Sequence, residues 1–149
     1  MPESVGAYRR EYDVTAENFK VIRQLTLELA NLPQEPLVRL GWSPKYGDFL
    51  KRFARSVPSK TTSPTRVRII IINEEFDDPY GPNGSETATG GVDSAGDVVR
   101  YMPISVAELW PDLLTAAFEA LGGEEARFRT GFYPDAINEA LAAISGIKS

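Results

Sequence analysis

Carboxylate side chains are concentrated in one part of this 149-residue chain. Four fall within residues 74–78 and two more follow after a Gly- and Ser-rich stretch; they are Glu74, Glu75, Asp77, Asp78, Asp93 and Asp97. Carboxylate oxygens are the ligands that Mg²⁺ and Ca²⁺ prefer, and a pair of carboxyl groups can act as acid and base on a glycosidic bond. The spacing does not match a calcium-binding loop, so neither chemistry is favoured.

Two aromatic residues, Phe76 and Tyr80, stand among these carboxylates. Aromatic rings are enriched among the residues that dominate the energetics of protein–protein interfaces. We therefore treat eight residues as candidate partner-binding residues and name them the acidic segment: Glu74, Glu75, Phe76, Asp77, Asp78, Tyr80, Asp93 and Asp97. The competing interpretation is a solvated acidic loop that only keeps its surroundings soluble.

Two residue types that carry much of enzyme chemistry are missing. The chain contains no histidine and no cysteine. The absence of cysteine excludes disulfides, thiolate catalysis and the common zinc sites, and the absence of histidine removes the usual general base of hydrolases. The standard glycine-rich nucleotide-binding motifs are not found either. We expect no cofactor and no metal, and these observations favour a protein that is not an enzyme.

Charge is divided unevenly along the chain. Residues 1–68 contain 12 Lys and Arg against 7 Asp and Glu, which gives +5, whereas residues 69–149 contain 4 against 14, which gives −10. The two halves sum to the net charge of −5, and the isoelectric point is about 4.8. Such a protein is poorly suited to the phosphates of nucleic acid, but complementary fields would steer its acidic half toward a basic protein surface.

The acidic segment follows the most apolar run of the sequence, the four isoleucines Ile69–Ile72. β-Branched residues favour strands, and an apolar run without alternation is typical of a strand that is covered on both faces. We predict a central strand at 67–73, a second strand at 98–104 and an edge strand near 8–14. If the first two pair, the residues between them form the tip of a hairpin.

Four helices are predicted from capping residues and apolar spacing. One spans 15–31, one begins at Pro44, one begins at Ser105 and ends at Gly122-Gly123, and one begins at Pro134. In the third, Ser105 and Glu108 have the spacing of a capping box. Two further strands are predicted, at 37–42 and at 126–130, the latter with Phe128 facing inward.

These elements predict a single α+β domain over residues 1–149, with a small mixed sheet, a central strand near 67–73 and helices packed on the sheet. An α/β open sheet is the alternative. Residues 1–6 are predicted as a loose tail and residues 77–97 as a long flexible loop. No apolar run approaches the ~20 residues of a membrane span, so we expect a cytoplasmic protein that binds no membrane.

Size, charge and the missing catalytic residue types favour a small acidic inhibitor that binds another protein. Immunity proteins and anti-defence proteins, which dock on basic enzyme surfaces, are of this general kind. The expected partner is a protein with a basic surface, and no nucleic acid is expected. The alternative is an enzyme that depends on carboxylates or a divalent metal and uses the acidic cluster after the central strand.

Overall fold

A computed structural model describes residues 9–58, 60–61, 64–72 and 96–148. Three strands form one sheet: β1 (Arg9–Thr15), β2 (Arg66–Ile72) and β3 (Val98–Pro103). The strand order is β1-β2-β3, so β2 is the central strand, as the isoleucine run predicts. The predicted tail at 1–6 and most of the predicted loop at 77–97 lie outside the described residues.

The two neighbours of β2 run in different directions. β1 is antiparallel to β2, whereas β3 is parallel to it, with Val67 opposite Val98 and Ile72 opposite Pro103. The prediction that β2 and β3 form a hairpin is therefore wrong. Side chains of a strand alternate in the same way whichever direction the strand runs, so the apolar pattern of 98–104 could not reveal its direction.

Helices account for most of the remaining described residues. They are α1 (Ala16–Glu28), α2 (Gln34–Arg39), α3 (Pro44–Ser56), α4 (Ile104–Thr130) and α5 (Pro134–Ile144), with 3₁₀ turns at Leu29–Asn31 and Ser145–Lys148. Together with the mixed sheet they form the α+β fold that the sequence predicts. No helix within the described residues is both long enough and apolar enough to cross a membrane.

Side-chain caps fix the starts of α1 and α3. The hydroxyl of Thr15 accepts a hydrogen bond from the backbone N–H of Asn18 at 3.2 Å, and that of Ser43 accepts one from the N–H of Tyr46 at 3.5 Å. Each bond satisfies an N–H that has no partner inside the helix. Pro44 takes the first helical position, where its missing N–H costs nothing.

The start of α4 differs from the prediction. Pro103, the last paired residue of β3, is also the residue that precedes the helix, so α4 begins directly at Ile104. Ser105 therefore lies within the first turn and does not cap it. Its hydroxyl oxygen is buried and has no hydrogen-bond partner in the described part of the chain. The predicted capping box of Ser105 and Glu108 is wrong.

The predicted strand at 37–42 is also wrong, because most of this stretch belongs to α2 or to the turn that follows it. Pro36 is the third residue of α2 and lies in the first turn, where no N–H is needed for an intrahelical bond. Only Leu37 of this short helix is buried. A single buried residue in six leaves no helical repeat for the sequence to display.

The core lies between the helices and one face of the sheet. Val67, Ile69 and Ile71 of β2 are fully buried on this face. Two aromatic side chains, Phe53 of α3 and Trp110 of α4, meet edge to face with ring centroids 5.5 Å apart. Burying large apolar side chains in this way is the dominant favourable contribution to folding.

β1 also holds the C-terminal end of the chain. The hydroxyl of Tyr12 donates a hydrogen bond to the carbonyl of Ala143, and the guanidinium of Arg10 donates to the carbonyls of Gly146, at 3.3 Å, and Ile147. Carbonyls at a helix C-terminus lack intrahelical partners, so these donors satisfy groups that would otherwise need water. The contacts dock α5 against β1.

Candidate protein-interaction surface

The acidic segment lies almost wholly outside the described residues. Seven of its eight members are in this group: Glu74, Glu75, Phe76, Asp77, Asp78, Tyr80 and Asp93. Their assignment to a partner-binding site stays a prediction. Asp97 is the one member whose surroundings can be described.

Asp97 lies at the end of the sheet where β2 begins. Its carboxylate accepts a hydrogen bond from the backbone N–H of Arg66 at 3.0 Å and lies 3.5 Å from the guanidinium of Arg68. Only 15% of its side chain is exposed. β2 runs about 16 Å from Val67 to Ile72, at about 3.3 Å per residue, so Asp97 is far from Ile72, the last described residue before the acidic cluster in the sequence. Its carboxylate is engaged within the fold.

A different surface presents apolar side chains to solvent. Phe128 is 85% exposed and Tyr133 is 62% exposed, more than any other large apolar side chain in the described ranges. Together with Arg127 they border a shallow cleft of about 420 Å³, whose rim also includes Glu124. We name Arg127, Phe128 and Tyr133 the aromatic surface.

The exposure of Phe128 follows from a break in α4. Gly122 has φ 76° and ψ 163°, values that an L-residue with a side chain rarely adopts, and residues 123–130 form a new helical segment after it. In that segment Ala126 and Thr130, four residues apart, are buried on one face. Phe128 is two residues from each, about 200° around the helix, and so points to solvent. The prediction of an inward-facing strand residue here is wrong.

A tight turn places Tyr133 next to this segment. Gly131 ends α4 in the left-handed conformation, with φ 84°, and its N–H donates to the carbonyl of Arg127 at 2.8 Å. The hydroxyl of Thr130 donates to the carbonyl of Ala126 at 2.7 Å and accepts the N–H of Phe132 at 3.1 Å. These hydrogen bonds direct the chain through the turn.

Arg127 holds the ring of Tyr133. The guanidinium carbon lies 4.5 Å from the ring centroid, and a guanidinium nitrogen donates to the phenolic oxygen at 3.1 Å. Cation–π contacts at exposed sites contribute about 0.5–1 kcal/mol, enough to restrict a ring that solvent would otherwise leave free. The exposed ring of Tyr133 is therefore restricted by its contacts with Arg127.

The C-terminal part of the chain, to which the aromatic surface belongs, carries a net negative charge. Residues 104–148 contain seven Asp and Glu against three Lys and Arg, a net charge of −4. One of the three cations, Arg129, is already paired, with Glu125 at 2.8 Å and Glu28 at 3.3 Å. The hydrogen bond to Glu125, and to a smaller extent the one to Glu28, raises the pKa of Arg129 above its ordinary value. The carboxylates of this region thus outnumber the cations.

The sequence contains a signal for the aromatic surface that is easily misread. Ala126, Phe128 and Thr130 alternate, which fits a strand, but the spacing of Ala126 and Thr130 also fits one helix face. Gly122 before the segment and Gly131 after it favour a short helix, and a helix predicts that Phe128 is exposed. Sequence reasoning placed the partner-binding residues in the acidic segment and missed this surface.

Comparison of the chain with models of known protein families, with curated proteins and with solved structures finds no match.

Proposed function

We propose that this protein is a small acidic inhibitor of the cytoplasm, of the immunity or anti-defence kind, that docks on a basic surface of another protein. The observation that carries the proposal is the exposure of Phe128 and Tyr133 beside Arg127. Aromatic residues and arginine are the types most enriched among the residues that dominate binding energy.

The aromatic surface provides apolar area that a partner can remove from water. Phe and Tyr each bury roughly 150–250 Å² when they are fully covered, at about 25 cal/mol per Å². The contact between Arg127 and Tyr133 lowers the entropy that binding must remove, because the ring is already restricted. These contributions would act mainly on the lifetime of the complex.

The net negative charge of the C-terminal part of the chain supplies the second part of recognition. A net charge of −4 over residues 104–148 attracts a basic surface and repels an acidic one. Complementary charge acts mainly on the association rate, and salt screens it over a Debye length of about 8 Å at physiological ionic strength. The four carboxylates of the acidic segment at residues 74–78 would add to this field, and their part in binding is proposed on their charge alone.

The partner can be identified by site-specific cross-linking in the native host. A photo-reactive aromatic residue replaces Phe128 in one protein and Val38 in a matched control; Val38 is 57% exposed and lies on α2, outside the aromatic surface. We expect a basic protein to cross-link from position 128 and not from position 38. Equal capture from both positions would show that the aromatic surface is not the contact.

Association kinetics with the purified partner then test the charge contribution. We expect association to slow as salt rises. Glu124→Gln should slow it further, whereas Glu35→Gln, which removes the same charge on α2 outside the aromatic surface, should slow it less. Neutralising Glu74, Glu75, Asp77 and Asp78 together tests the acidic segment in the same assay. An association rate that does not change between low and physiological salt would contradict docking on a basic surface.

A further inference from the structure

A second concave feature lies between α1, residues 57–58 and 61, and the start of β2. It is a pocket of about 210 Å³. Phe19, Val57 and Val67 form its floor and are buried, and Phe132 lines one side. An apolar floor with a small number of polar groups is the usual composition of a small-molecule site.

The polar side of the pocket is cationic. Lys20 and Arg23 are three residues apart on α1 and therefore on one face of the helix, and both are partly buried. Among the described residues, no Asp or Glu lines the pocket. Neither Lys20 nor Arg23 forms an ion pair with any residue that the structure describes. Two cations beside an apolar floor are the complement of an amphipathic anion.

Arg23 is held in a position to receive such an anion. Its Nε–H donates to the carbonyl of Ala54, the last turn of α3, at 3.2 Å. A guanidinium has five N–H donors, so this bond orients the group while leaving the terminal nitrogens available. A carboxylate matches the geometry of those nitrogens and can accept two parallel hydrogen bonds.

We propose that this pocket binds a small organic carboxylate whose apolar part is a single ring or a short chain. Size limits the ligand: a cavity of about 150 Å³ holds benzene. A pocket of about 210 Å³ leaves room for one ring and a carboxylate. The carboxylate lies between Lys20 and Arg23, and the apolar part lies on Phe19 and Val67.

Calorimetric titration of the whole purified chain with phenylacetate and with phenylacetamide tests the proposal. The two probes have nearly the same shape and differ in charge. We expect phenylacetate to bind with a dissociation constant of about 0.1–1 mM, and phenylacetamide to bind at least about tenfold more weakly. Equal binding of the two probes would overturn the proposal. So would the absence of any binding of phenylacetate at about 10 mM, ten times the upper end of that range.

Three variants locate the binding. Lys20→Gln and Arg23→Gln should each weaken phenylacetate binding by about fivefold or more, while Arg39→Gln on α2 should leave it unchanged. Thr61→Phe, at the rim, retains both cations and fills the pocket, so it should abolish binding. Thermal unfolding confirms that each variant is folded. If folded Thr61→Phe binds phenylacetate as the wild type does, the ligand lies elsewhere and the proposal is wrong.

Discussion

Arg127 and Tyr133 contact each other across the turn that joins the last two helices, with the guanidinium carbon 4.5 Å from the ring centroid. Both side chains are at the surface, and the contact orients a ring that has no core to pack against. Next to them, Phe128 is more exposed still. Three large side chains that contribute little to the core are therefore arranged on one surface. This arrangement is the reason why we propose that the protein binds another protein.

Removing the arginine should free the ring without unfolding the protein. We expect Arg127→Ala to lower the free energy of unfolding by less than about 1 kcal/mol, because the contact is exposed. NMR relaxation of the Tyr133 ring should report faster motion in this variant. Arg39→Ala, which removes an exposed arginine on α2, should leave that ring unchanged. An unchanged Tyr133 ring in Arg127→Ala would show that Arg127 does not order it.

Truncating Thr15 and Ser105 to alanine should have different effects on the free energy of unfolding. Thr15→Ala removes a helix cap and should destabilise the protein by about 1 kcal/mol. Ser105→Ala removes a buried hydroxyl that has no partner in the described part of the chain, so it should be neutral or stabilising. Urea denaturation measures both. A loss of about 1 kcal/mol in Ser105→Ala would mean that this hydroxyl caps α4 after all.

Alanine substitutions in the central strand β2 should cause the largest loss of stability. Ile71 is fully buried on the face of β2 that packs on the helices, and Ile71→Ala should cost about 2–5 kcal/mol from lost burial and a residual cavity. Ile72 is only partly buried, so Ile72→Ala should cost clearly less. Equal losses in urea denaturation would contradict the described burial of the strand.

Substituting Asp97 tests whether this residue stabilises the fold or contacts the partner. Asp97→Ala removes the acceptor of the Arg66 N–H and one of the carboxylates that pair with Arg68, and we expect a loss of about 1–3 kcal/mol in urea denaturation. Glu35→Ala breaks a largely exposed ion pair and should cost under about 1 kcal/mol. Asp97→Ala should also leave partner dissociation unchanged. Faster dissociation in this variant would return Asp97 to the binding surface.

Much of the fold is predictable because several elements carry redundant local signals. The sequence offers Asp13 or Thr15 as the N-cap of one helix and Ser43 as that of another, each followed by apolar residues at helical spacing. The two helices begin directly after Thr15 and Ser43. The isoleucine run predicts a buried central strand because its side chains are β-branched and apolar without interruption. Each of these elements is specified within a few neighbouring residues.

The errors arise where the local pattern fits two structures equally well. The alternation of Ala126, Phe128 and Thr130 fits a strand, but hydrogen bonding and the flanking glycines make it a helix. β3 has the same inward-facing residues in either direction, so pairing with β2 alone decides that it is parallel. The aromatic surface was missed because it depends on the first of these choices, and exposure is a property of the folded chain.

The dissociation rate of the complex with the basic partner tests binding through the aromatic surface most directly. Double-variant protein carrying Phe128→Ala and Tyr133→Ala is compared with wild type and with Val38→Ala, which removes an exposed apolar side chain elsewhere. We predict dissociation at least about tenfold faster for the double variant, with Val38→Ala unchanged and all three proteins equally folded. If the double variant dissociates as slowly as wild type, the aromatic surface does not bind the partner.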